Sequence, residues 1–165
     1  MSLATIMLDH LAVARRAIEN GHELVPTWRI ETPEGALSIR TQFDTDSPEE
    51  REQTIALISR FMAWKMATSF VLTTDTWLGG ELNRASDEAL LTIGVSHHER
   101  LAVLQRFKGR DAIGFSEPMW VASHHVADCY VKMLPGRRTE VTAEEVAELS
   151  HIFGKNGKLP PERLS

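Results

Sequence analysis

The sequence predicts an α+β fold: one antiparallel β-sheet, a meander of about four strands plus an N-terminal hairpin, with helices packed mainly on one face. Three observations carry this. Two apolar stripes at helical spacing follow capping boxes, Ser47-Pro48-Glu49-Glu50 and Thr142-Ala143-Glu144-Glu145. Alternating residues flank the turn Thr32-Pro33-Glu34-Gly35. Between 69 and 122, strand-like runs succeed one another with no helical period between them, as antiparallel neighbours do.

In chain order, Leu3, Met7, Leu11, Ala14 and Ile18 recur every three or four residues, and Gly21 stands where a left-handed C′ residue would end that helix. Trp28 and Ile30 alternate with Thr27, Arg29 and Glu31; beyond the turn, Leu37, Ile39 and Thr41 alternate with Ser38 and Arg40. Period two on both sides of a Pro/Gly turn is the hairpin pattern. Ser47 is then placed as an N-cap, Pro48 at N1 and Glu50 at N3, and Ile55, Ile58, Phe61, Met62 and Met66 make the stripe of a helix over 48–66.

Four strand candidates follow. Ser69–Trp77 is rich in Phe, Val, Leu and Thr. Ala89, Leu91, Ile93 and Val95 alternate with Leu90, Thr92, Gly94 and Ser96, and Leu101, Val103, Gln105 and Phe107 alternate after a turn at His98-Glu99. Residues 113–122 are the fourth; Pro118 has no N–H to donate, which puts the strand at an edge or ends part of it. Gly79-Gly80 to Asp87 reads as a surface loop, and 123–134 as a short helix. Val146, Leu149, Ile152 and Phe153 form the stripe of the last helix, which Gly154 ends. Residues 1–154 read as one domain and 155–165, with Pro160-Pro161, as a loose tail. The pattern leaves open whether the N-terminal hairpin extends the meander or forms a separate flap.

Composition narrows the classes. With 165 residues, 42% apolar and 25% charged, the chain can bury a core without disulfides or structural metal. A net charge of −5 gives no general attraction to phosphate backbones, so a nucleic-acid partner is not expected. Cys129 is the single cysteine and cannot form an internal disulfide, which fits a reducing compartment. No basic segment precedes the first apolar residues, and Asp9 and His10 interrupt them, so neither a signal peptide nor a membrane span is read there. The expected location is the cytoplasm. No Walker loop, GxGxxG or GxSxG is present, and no cofactor is expected.

Each cluster with chemical capacity has a plainer reading beside it. His97-His98 and His124-His125 are adjacent pairs, and one of each, with Glu99 or Asp128, would make a metal site; the plainer reading is a polar turn and a helix start. Cys129 has His125 four residues earlier, a nucleophile–base spacing on a helix, yet apolar neighbours suit a small buried hydrophobe. Asp75 and Glu88, with Glu81 and Asp87, flank the Gly79-Gly80 loop at the ends of two paired strands, where carboxylates do acid–base work, bind a divalent cation or simply make a solvated rim. Thr73-Thr74-Asp75 alternates, so one face of that strand is polar and borders solvent or a cleft. His10, His22 and His151 stand alone. Arg106, Lys108, Arg110, Lys132, Arg137 and Arg138 form a modest basic cluster. Of the four tryptophans, Trp28, Trp64, Trp77 and Trp120, most are expected in the core, with room for one or two at a subunit contact.

Residues 69–107 resemble a group of uncharacterised phage and bacterial proteins in which a helix leads into a strand, then a charged loop and an alternating strand. The matching residues are Phe70, Val71 and Trp77, then Arg84, Glu88 and Leu90 to Val95, with Asp75 where the group carries Glu. The resemblance implies no reaction. The leading functional expectation is a non-catalytic binding or assembly domain that self-associates as a homodimer. The alternative is a small hydrolase or isomerase, metal-assisted through the histidine pairs, with its site near 77–88. The sequence leaves open whether the chain is an enzyme.

Overall fold

A computed structural model describes residues 1–41, 48–77, 88–108, 112–122, 126, 128–134 and 140–153, without the side chains of 76, 77, 108, 112 and 113. The expectations for Ser47, for the loop carrying Glu81 and Asp87, for His124 and His125, for Gly154 and for the tail fall outside these residues. The element order is α1 (Leu3–Glu19), β1 (Thr27–Thr32), β2 (Gly35–Arg40), α2 (Pro48–Trp64), β3 (Ser69–Trp77), β4 (Glu88–Ser96), β5 (Arg100–Lys108), β6 (Ala112–Phe115), β7 (Met119–Val121), α3 (Asp128–Val131) and α4 (Ala143–Phe153). This is the expected α+β architecture.

All strands are antiparallel, in the order β2-β1-β3-β4-β5-β6, with β7 also paired to β5. The N-terminal hairpin therefore extends the meander: β1 docks on β3 with Trp28 opposite Leu72 and Ile30 opposite Phe70. The physical reason lies in the side chains. Trp28, Ile30 and Ile39 project from one face of the hairpin, and docking buries all three to within 1% of full enclosure.

Residues 113–122 do not form one strand. The chain leaves β5's edge after Phe115 and returns at Met119, so β6 and β7 are two short strands on the same side of β5, interrupted at Ser116-Glu117-Pro118. Ser116 stitches the break: its carbonyl accepts from Gln105 Nε2 at 2.8 Å and its hydroxyl from the Arg106 N–H at 3.1 Å.

Helices cover both faces, most of them on one. Ile58, Phe61 and Met62 of α2, Met133 after α3, and Leu149 and Phe153 of α4 pack with Trp28, Phe70, Leu72, Ile93 and Val95. Phe61 and Phe153 stack with centroids 4.4 Å apart. α1 lies alone on the opposite face, where Leu3, Ile6, Met7 and Leu11 meet Val71, Leu90, Val103 and Phe107. Its close approach requires Gly94: a Cβ there would stand 2.5 Å from Met7 Sδ.

Two helices end in the same motif with different residues. After α1, the Gly21 and His22 N–H groups donate back to Ile18 and Ala17, with Gly21 at φ 78°. After α2, the Met66 and Ala67 N–H groups donate to Ala63 and Met62, with Met66 at φ 53°. Both are Schellman caps. Met66 thus belongs not to the apolar stripe of α2 but to its cap, and it is 68% exposed. A left-handed non-glycine residue costs about 1 kcal/mol. Met66→Gly is therefore expected to raise stability by about 0.5–1 kcal/mol, read as a higher urea midpoint. A lower midpoint would show that Met66 contributes packing that its exposure does not reveal.

Candidate functional site

The sheet register assembles a polar row from residues far apart in sequence. Arg40 on β2 pairs with Thr27 on β1, Thr27 with Thr73 on β3, and Thr73 with Thr92 on β4. Strand alternation turns all four side chains to the face that carries α1. α1 crosses that face over β3 and β4, covering Thr73 and Thr92, and leaves a cleft of about 450 Å³ over the rest of the row. The cleft is bordered by His10, Val13, Ala14 and Ala17 of α1, by residues 22–25 of the connection to β1, and by Thr27, Thr73 and Arg40.

His10 is held over the row by a chain of short hydrogen bonds: Nδ1 to Thr73 Oγ1 at 2.8 Å, and Thr73 Oγ1 to Thr92 Oγ1 at 2.7 Å. Thr73 and Thr92 are fully buried. Burial, and then the nearby Arg29 guanidinium, push the His10 pKa down to about 4, so the ring is neutral at pH 7. The proton order follows from satisfaction. If Thr92 donates to Thr73 and Thr73 donates to His10 Nδ1, both hydroxyl protons have acceptors. The reverse order strands the buried Thr92 proton, which has no other acceptor among the described residues. The proton of His10 therefore sits on Nε2, leaving a neutral N–H donor. Arg40 is exposed and has no ion-pair partner among the described residues, whereas Arg29 is bound to Glu31 at 2.7 Å.

A second feature is one of the two open edges of the sheet among the described residues, the other being the outer side of β2. Among the described residues no strand pairs with the outer side of β6 or β7. Met119 and Trp120 on β7 are 48% and 44% exposed, and the main packing partner of α4 is α2.

The residues singled out in the sequence fall elsewhere or only partly together. Asp75 is exposed and borders a smaller recess of about 170 Å³ beside the cleft, with His22, Glu23 and Phe107. Glu88 is half-buried, opposite Trp77, and lies one diagonal step from Asp75 on the paired strand. His97 and His98 are exposed in the β4–β5 turn, where Ser96 Oγ accepts from the N–H groups of His98 and Glu99. Cys129 is exposed on α3, not the small buried hydrophobe its neighbours suggested. Its short helix turns Tyr130 inward against Trp28 instead, with centroids 6.5 Å apart. Among the described residues, no three His, Cys, Asp or Glu side chains converge on a metal-sized space. Of the basic cluster, Arg106 and Lys132 are exposed and the remaining side chains lie outside the described set.

His10, His22 and Arg40 have no sequence spacing that links them. The one sequence signal for the cleft is Thr73-Thr74-Asp75, whose alternation makes Thr73 and Asp75 line the two adjoining recesses. No described helix is long and apolar enough to cross a membrane. Comparison with protein-family models, curated proteins and solved structures returned no match.

Proposed function

We propose that this chain is a non-catalytic binding or assembly domain that self-associates as a homodimer through the β6–β7 edge of its sheet. The observation that supports this reading is the exposed pair Met119 and Trp120 on an unpaired edge strand. An open edge offers N–H and C=O groups to another strand, and Met and Trp are favoured at the buried centres of interfaces. Antiparallel pairing of β7 with its own copy is compatible with a two-fold axis, the commonest symmetry of homodimers. It would set the two Trp120 side chains on the same face, across the joint. Pro118 blocks extension of β7 toward β6, which keeps such pairing short. The resemblance of residues 69–107 to uncharacterised phage and bacterial proteins adds no activity to this reading.

Light scattering at micromolar concentration tests it. A doubled mass is expected, falling to the 18.5 kDa of one chain in Trp120→Glu with an unchanged far-ultraviolet circular dichroism spectrum. Wild-type protein running at 18.5 kDa would reject the dimer. A Trp120→Glu variant that stays dimeric would move the interface off this edge.

A further inference from the structure

We propose that the cleft beside α1 binds a small carboxylate with a short aliphatic body. Its volume of about 450 Å³ suits a small ligand, and its walls divide by chemistry. Val13, Ala17, Leu24 and Val25 supply an aliphatic wall, and among the described residues no Phe, Tyr or Trp borders it. The opposite side supplies donors: the Arg40 guanidinium, which matches a carboxylate in a two-point fork, and the Nε2–H of neutral His10. The Arg40 guanidinium, which has no ion-pair partner among the described residues, supplies the positive charge of the polar end and disfavours a cationic ligand beside it, whereas Arg29 is held by Glu31. Glu23, at the rim, is already engaged in an interaction of its own. The Thr73–Thr92 chain fixes the His10 ring, so its donor is oriented before a ligand arrives. The inference rests on the cleft and not on self-association, so either stands if the other fails.

The test titrates the full chain with hexanoate, hexanol and hexylamine at pH 7 and follows amide NMR shifts. Hexanoate at millimolar concentration is expected to shift the Ala14, Thr27 and Thr73 amides saturably, and the other two probes are not. Arg40→Gln is expected to weaken hexanoate about tenfold. Arg40 is exposed, so its thermal midpoint should match wild type and separate lost binding from lost folding. His10→Asn keeps a group on Thr73 but removes the Nε2–H donor, and is expected to weaken binding severalfold. Absence of saturable shifts, equal binding of hexylamine, or wild-type affinity in Arg40→Gln would each overturn the proposal.

Discussion

Trp28→Ala is expected to destabilise the fold by about 3–5 kcal/mol, the range for truncating a large enclosed aromatic side chain. Trp28 is wholly buried where the hairpin meets the rest of the sheet. Its ring lies 5.7 Å from Phe70 and 6.5 Å from Tyr130, and its Nε1–H donates to Thr41 Oγ1 at 2.9 Å. Truncation opens a cavity between β1, β3 and α3 and leaves the buried Thr41 hydroxyl without that donor. Domains of this size hold only about 5–15 kcal/mol in total, so the variant should be partly unfolded in modest urea. Trp28→Phe refills most of the space and should lose far less. Circular dichroism during urea unfolding checks both, and a midpoint for Trp28→Ala near wild type would show that the hairpin is not held by this residue.

Acid should weaken the fold through His10. Its pKa is 6.5 when solvated and about 4 in the folded chain. Between those values the unfolded chain carries a proton that the folded chain does not. The contribution is therefore complete above pH 6.5 and is lost as pH falls through about 4. The full span amounts to about 3 kcal/mol. Protonation would also force Nδ1 to donate to Thr73, reversing the hydroxyl chain and stranding the Thr92 proton. Carboxylates titrate in part of the same window, so the measured quantity is the difference between wild type and His10→Asn. That difference is expected to shrink steadily from pH 7 to pH 4. Parallel stability curves, or a His10 ring resonance titrating near its solvated value, would contradict the assignment.

Much of the framework was legible in the residues because its causes are local. Gly21 marks the end of α1 because a left-handed residue closes a Schellman cap, and it sits at φ 78°. Thr142 carries the capping signature of α4, and its hydroxyl accepts from the Glu145 N–H at 3.2 Å. The hairpin, β3, β4 and β5 followed from alternation, which reports which face of a strand is apolar. Met66 misled because its spacing fits the α2 stripe, while the chain must reverse there to enter β3 and takes the left-handed turn despite its cost. In residues 113–122 Pro118 marks both an edge and an interruption, as found, but does not say that the chain returns to the same neighbour.

The site was not legible in this way. Alternation says that Thr73 and Thr92 face the same way as their strand's other even-spaced residues, but not that they sit side by side, nor that Thr27 and Arg40 continue the row. That depends on register across four strands, which cooperative burial of Trp28, Ile30, Phe70 and Leu72 selects. Nor does a lone His10 on an amphipathic helix announce a ligand. Its neutral state and its free Nε2–H arise only when α1 descends onto Gly94 and brings the ring to Thr73. Helices, turns and strand faces are encoded within a few residues of chain; the cleft and the open edge at Trp120 exist only through contacts between residues tens of positions apart, and packing alone decides those.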